Sequence, residues 1–244
     1  RNARVVRLDR AIVEAGLAPS RARARQLIEA GVVRLAGQVV TKPAAEADPA
    51  HVTLIANPIP WVSRAALKLD HALEEFGLSP EGAEALDVGA STGGFTEVLL
   101  AHGAARVHAL DVGHGQLHPT LRHDPRVVNH EGVNARAIPE GLIPPVDWIV
   151  SDVSFISLEK ALPGAMALAK PRARLVALVK PQFEAGPEHV GKGGLVTDPI
   201  VHDRVKRGIR SFLERAGWMV THEAESPILG GDGNREFLIA AIRG

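Results

Sequence analysis

The stretch Asp87-Val88-Gly89-Ala90-Ser91-Thr92-Gly93-Gly94-Phe95-Thr96 decides how this chain is read. Apolar residues over 85–88 predict a strand that ends in a carboxylate, a glycine-rich turn follows, and the pattern over 94–102 predicts a helix. A strand passing through such a turn into a helix places a nucleotide-like ligand beyond the carboxyl ends of a doubly wound sheet. Spacing then selects among ligands. A dinucleotide cradle needs G-x-G-x-x-G, whereas Gly89, Gly93 and Gly94 give G-x-x-x-G-G, and no G-x-x-x-x-G-K-[ST] phosphate loop occurs. Asp111 closes the next predicted strand, where an acid can accept both hydroxyls of a ribose.

Outward from this loop, strands and helices alternate. Strands are expected over 85–88, 106–110, 127–130, 148–151, 174–179, 218–223 and 237–242, with helices over 63–76, 94–102, 158–169 and 199–216. That alternation predicts an α/β fold, a doubly wound Rossmann-like sheet. The last two strands are joined by the turn-rich segment 227–234 without a helix, so an antiparallel edge is expected. Upstream, helices are expected over 8–15 and 21–30, a hairpin over 32–41 and a strand over 51–55. In the second helix Ala22, Ala24, Leu27 and Ile28 are expected inward and Arg21, Arg23 and Arg25 outward. This makes a small α+β N-terminal domain over 1–57, a linker over 58–62 and a catalytic domain over 63–244.

The whole chain is electrically neutral, with 28 Lys plus Arg against 28 Asp plus Glu. Residues 1–60 nevertheless hold nine basic and five acidic residues, and residues 61–244 hold nineteen and twenty-three. A basic small module beside a mildly acidic large one suits a polyanionic partner met by the small module. With 45% hydrophobic and 23% charged residues the composition is that of a folded globular protein. The absence of cysteine removes disulfides, thiolate metal sites and cysteine nucleophiles from consideration, and a cytoplasmic address is the expectation. No apolar run reaches the ~18 residues of a membrane span, so no membrane partner is expected.

Two chemistries compete for the loop. Gly89-Ala90-Ser91-Thr92-Gly93 also fits the G-x-S-x-G elbow of serine hydrolases, with Asp198 and His222 available to complete a triad. Against that, Asp87 and Gly94 have no part in an elbow. Asp152 and Lys180 each follow a predicted strand and so reach the same rim, where a carboxylate and a lysine can position a hydroxyl and remove its proton. His114 and His118 are four apart, but the glycines and proline around them argue against a helical metal pair, and no metal is expected.

The acid, the glycines two and six positions later, and Asp111 resemble the first motifs of S-adenosylmethionine-dependent methyltransferases. Ser63-Arg64-Ala65-Ala66-Leu67-Lys68-Leu69, Asp152-Val153-Ser154-Phe155, Val179-Lys180-Pro181-Gln182-Phe183-Glu184, Gly191-Lys192-Gly193-Gly194 and Gly233-Asn234-Arg235-Glu236-Phe237 are similar to the haemolysin A / TlyA branch of FtsJ-type ribose methyltransferases. Arg7-Leu8-Asp9, Gly16-Leu17-Ala18-Pro19-Ser20-Arg21 and Gly31-Val32-Val33 resemble the S4 RNA-binding domain. This resemblance implies methyl transfer from S-adenosylmethionine to a ribose 2′-hydroxyl, of a cytidine, in ribosomal RNA or ribosomal subunits, without an obligate protein partner. It implies a catalytic tetrad of Lys68, Asp152, Lys180 and Glu236, with Lys180 taking the proton. Cofactor contacts are expected from Asp87, Gly89, Ser91, Gly93, Gly94, Phe95, Asp111 and Asn134, and RNA contacts from Arg7, Arg21, Arg23, Arg25 and Arg64. His114 stands where that branch is expected to carry tyrosine. A non-catalytic RNA-binding module and a membrane-lytic haemolysin complete the alternatives, although no strongly cationic amphipathic helix supports the latter.

Overall fold

A computed structural model describes residues 5–18, 20–55 and 61–244. The chain forms two units, Arg1–Pro60 and Trp61–Gly244. Pro58, Ile59 and Pro60 of the expected linker lie outside the described residues.

In the small unit, helix Leu8–Glu14 buries Leu8, Ala11 and Ile12. Helix Arg21–Glu29 starts at Ser20, whose hydroxyl accepts the Arg23 N–H, and buries Ala24, Leu27 and Ile28. Ala22 is exposed, contrary to expectation. It stands about 200° round the helix from Ala24, off the stripe that positions 24, 27 and 28 define. Strand Val33–Leu35 lies between Gln38–Val39 and Val52–Leu54, all antiparallel. The hairpin turns through Ala36 and Gly37, both with positive φ, as a two-residue loop requires. A further short pair joins Val6–Arg7 to Glu46–Ala47.

The large unit is built on seven strands: β1 (Glu84–Val88), β2 (Arg106–Leu110), β3 (Val127–His130), β4 (Val146–Ser151), β5 (Ala169–Val179), β6 (Trp218–Glu225) and β7 (Phe237–Arg243). Their order is β3-β2-β1-β4-β5-β7-β6. Strands β1 to β5 are parallel, and β7 runs against both β5 and β6. The expected antiparallel edge is therefore present, with the reversed strand one place in from it. Burial explains the order. Residues 237–242 are apolar and buried on both faces, as an interior strand must be, whereas β6 alternates and sits at the edge.

Alternate residues of each strand feed two cores. Leu86, Val88, Leu175, Ala177 and Val179 pack with Val201, Val205, Ile209 and Leu213 of helix Pro199–Arg215. Ala85, Val176 and Leu178 belong with Leu69 and Leu73 of helix Ala65–Phe76 and with Val98 and Leu99 of helix Gly94–Ala101. One expected element divides. The helix anticipated over 158–169 is two single turns, Leu158–Ala161 and Pro163–Met166, and β5 begins at Ala169. Pro163 has no N–H to continue the first turn but suits the start of the second.

Candidate active site

The turn after β1 is shaped by what cannot fit there. At Gly89, φ is +81°, and a β-carbon would sit 2.9 Å from Val153 Cγ1 and 3.2 Å from the Asp152 carbonyl oxygen. Ser91 also has positive φ, which turns its N–H onto Asp111 Oδ2 at 2.7 Å. The Gly113 N–H donates to Asp111 Oδ1 at 2.8 Å. Each carboxylate oxygen thus accepts one backbone donor and keeps acceptor capacity towards the cleft. That cleft has a volume of about 370 Å³ and is lined by Gly89, Ser91, Asp111, Asn134, Asp152 and Phe155 among others. A second lobe of about 140 Å³ shares Gly89, Ser91 and Asp152 and adds Ser63, Gly94 and Phe95.

Two expected cofactor residues do not line either lobe. Gly93 faces away, and its missing side chain leaves room for Leu117 and Leu121; its φ of +99° ends the turn and opens helix Gly94–Ala101. Asp87 is wholly buried beneath the loop, with Oδ2 accepting from Thr96 Oγ1 at 2.8 Å and Oδ1 without a partner among the described residues. Burial first, then the nearby Asp152 and Asp111 charges, push its pKa up to about 7 against the Thr96 hydrogen bond. The partnerless Ser63 Oγ in the smaller lobe is what a ligand bearing a carboxylate would satisfy. The residues present therefore fit the methionyl and ribose ends of an S-adenosylmethionine.

The four residues expected to act on the acceptor form two lysine–carboxylate pairs. Lys68 Nζ donates to Glu236 Oε2 at 2.6 Å, and both side chains are buried, 8% and 3% exposed. Lys180 Nζ lies 2.7 Å from Asp152 Oδ1, an ion contact poorly angled for a hydrogen bond, and donates to Ser154 Oγ at 3.0 Å. The sheet brings the pairs to one rim. The β5–β7 register sets Val179 opposite Phe237, so the next positions outward, Lys180 and Glu236, are cross-strand neighbours.

Sequence reasoning missed an aromatic pair at this rim. Phe155 and Phe183 each follow a candidate catalytic residue by three, and their rings meet at 5.1 Å. Phe155 is 90% exposed and holds φ at +64°, two costs that a packing role does not explain. With Arg136 and Lys160 the two rings line a hollow of about 370 Å³. The signal available was the spacing, in a chain with only six phenylalanines.

Other candidates fall apart in space. Asp198 caps helix Pro199–Arg215 by accepting the Ile200 N–H, and His222 stacks on Phe76 and contacts Thr221, so neither joins Ser91 in a triad. His114 packs against Gly132, while His118 caps helix Pro119–Arg122. Arg64 donates to the Leu229 carbonyl oxygen. Arg21 and Arg25 do not simply project into solvent: both bind Asp9, as does Arg7, and Arg23 donates to Gln26. A larger cavity, about 460 Å³, lies between helix Pro199–Arg215 and strands β6 and β7. Six of its seven charged side chains pair with one another, Arg210 with Glu223, Arg235 with Glu225 and Lys206 with Asp203, so size alone does not mark the site.

Residues 61–243 match the FtsJ-like methyltransferase family and residues 6–52 match the S4 domain. The chain is 47% identical over 240 residues, 97% of its length and 90% of the relative's, to the 16S/23S rRNA (cytidine-2′-O)-methyltransferase TlyA of Mycobacterium tuberculosis. It is 43% identical to the Hemolysin A of Brachyspira hyodysenteriae, covering 96% of this chain and 98% of that one. A solved hemolysin-type structure from Streptococcus thermophilus superposes with a TM-score of 0.76 at 38% identity, over 99% of this chain and 89% of the other.

Proposed function

The chain belongs to the TlyA / haemolysin A family, in which an S4 domain is fused to an FtsJ-like methyltransferase domain, and from that premise we propose the following reaction and site. It methylates the 2′-hydroxyl of a cytidine in ribosomal RNA, using S-adenosylmethionine. Bound in the cleft, that cofactor supplies an activated methyl group on sulfur. Asp111 accepts its ribose hydroxyls, Asn134 lies at the same wall, and the N-terminus of helix Gly94–Ala101 with Ser63 receives its carboxylate.

The Lys180–Glu236 adjacency across β5 and β7 carries the reading, because it brings both lysine–carboxylate pairs to neighbouring strand ends, and Asp152 of one pair lines the cleft. Lys180, held by Asp152 and Ser154, meets the acceptor hydroxyl and takes its proton at Nζ when neutral. Glu236 fixes the buried Lys68 beside it. The gain comes from alignment of the attacking oxygen with the methyl group and from a base within reach. The Phe155–Phe183 pair offers a stacking face for a nucleobase brought to that rim, which suits an RNA acceptor. Arg7, Arg21, Arg23 and Arg25 of the small unit supply phosphate contacts, with Arg64 on the large one.

Ribosomal RNA as the acceptor places the reaction in the cytoplasm. Among the described residues no helix is long and apolar enough to cross a membrane. The test is to incubate purified ribosomal subunits with labelled S-adenosylmethionine and map 2′-O-methyl groups. Label in a base rather than a ribose, or no label with either subunit, would overturn the assignment.

A further inference from the structure

Among the described residues of the small unit Asp9 is the charge buried most completely, yet three arginines converge on it. Its side chain has no solvent exposure, while those of Arg7, Arg21 and Arg25 are 50%, 54% and 51% exposed. Arg7 donates from Nε and Nη2 at 3.3 and 3.4 Å, Arg21 from Nη2 at 2.9 Å and Arg25 from Nε at 3.1 Å. Three segments meet there. Arg7 ends a strand, Asp9 lies in the first turn of helix Leu8–Glu14, and Arg21 and Arg25 are one turn apart on helix Arg21–Glu29.

Burial alone would raise the pKa of such a carboxyl, but the three arginine hydrogen bonds outweigh it and hold the group well below the usual carboxylate range. The group is therefore ionised at any pH at which the protein works. One negative charge does not neutralise three positive ones. It uses four of the fifteen guanidinium N–H donors and leaves the outer parts of the forks in solvent with a net charge of +2. Unrestrained arginines on a surface repel one another and explore many rotamers. Tied to a common carboxylate, they present their remaining donors on one fixed patch, with the ordering cost met in folding rather than in binding.

We propose that Asp9 is a positioning residue for RNA binding, holding Arg7, Arg21 and Arg25 as a preformed phosphate-binding cluster. This rests on the reading that the face contacts RNA. The inference makes a prediction opposite in sign to simple electrostatics, since removing a negative charge near a polyanion ordinarily strengthens binding.

The experiment uses the full chain and measures binding to purified ribosomal subunits and to a labelled RNA hairpin between 50 and 200 mM salt. Asp9→Asn is expected to weaken both by about tenfold, the effect of losing charge-assisted geometry, although it adds one positive charge. Glu14→Gln makes the same charge change at an exposed helix position and is expected to leave binding equal or slightly tighter. In an Arg21→Gln/Arg25→Gln background Asp9→Asn should lose most of its effect. A general loss of folding would weaken binding equally in both backgrounds, and that result would overturn the positioning role, as would wild-type or tighter binding by Asp9→Asn. Should Asp9→Asn fail to fold, Asp9→Glu, which keeps the charge and shifts the carboxylate by one methylene, takes its place with the same expectation. If replacing Arg7, Arg21 and Arg25 together leaves RNA binding unchanged, the RNA-contact reading itself fails; if only Asp9 is without effect, that reading stands and the positioning role does not.

Discussion

Replacing Glu236 by Leu would strand Lys68, whose side chain is 8% exposed and whose ammonium donates to Glu236 Oε2 at 2.6 Å. Breaking a buried pair by removing one partner costs roughly 3–5 kcal/mol, because the remaining charge keeps its desolvation penalty without compensation. For a unit of this size each kcal/mol moves the melting midpoint by about 2–4 °C, so Glu236→Leu should melt roughly 6–20 °C below the wild type. Lys68→Met should do the same from the other side. The double variant Lys68→Met/Glu236→Leu should recover most of that loss, since an apolar pair of similar volume often replaces a buried ion pair without penalty. Methyl transfer should nevertheless stay abolished in the double variant, because the proposed reaction gives the lysine and its carboxylate a place in the acceptor site as well as in the fold. Thermal unfolding followed by circular dichroism, beside a tritium-transfer assay on ribosomal subunits, separates the two effects. Additive destabilisation in the double variant, or a stable double variant with normal transfer, would refute this account of the pair.

The remaining expectations concern the other groups of the rim. Asp111→Ala removes the acceptor for the Ser91 and Gly113 amides and, on the proposed binding mode, for two ribose hydroxyls; at about 1.5–3 kcal/mol per charged hydrogen bond, S-adenosylmethionine affinity should fall at least a hundredfold by calorimetry, and unchanged affinity removes Asp111 from the site. Lys180→Ala and Asp152→Ala should abolish single-turnover transfer while cofactor affinity stays within a few-fold, whereas Ser91→Ala should retain transfer because it is the Ser91 N–H that holds Asp111; a near-normal rate for Lys180→Ala contradicts the proton route. Asp87 has a folded-state pKa of about 7 against an ordinary 3.8, raised mainly by burial, so its protonated form favours the fold and stability is lost as pH climbs through 7. Without bound cofactor, Asp87→Asn should therefore gain on the wild type between pH 4 and 8, by up to about 4 kcal/mol, and parallel urea-denaturation profiles across that range would show that Asp87 ionises without cost.

Local pattern determined much of this protein. The loop from Asp87 to Thr96, the strand-end carboxylates and the apolar stripes of helices Arg21–Glu29, Ala65–Phe76 and Pro199–Arg215 are encoded within a few residues of themselves, by glycine's access to positive φ and by helical and strand periodicity. Alternating strands and helices without a long unstructured span leave few arrangements other than a doubly wound sheet. What depended on the tertiary structure is whatever joins distant positions. Lys68 and Glu236 are 168 residues apart, and they meet because β7 inserts between β5 and β6 and carries Glu236 to the rim. Two of the three outward arginines, Arg21 and Arg25, turn out to be gathered by an aspartate in another helix, which spacing along one helix cannot reveal. Nothing local marks Phe155 and Phe183 as partners; they meet only because β4 and β5 run side by side, and the turns beyond them leave the ring of Phe155 uncovered. Sequence periodicity records which face of an element is buried. Which faces meet is settled by the long-range register of the sheet, which is cooperative and has no local signature.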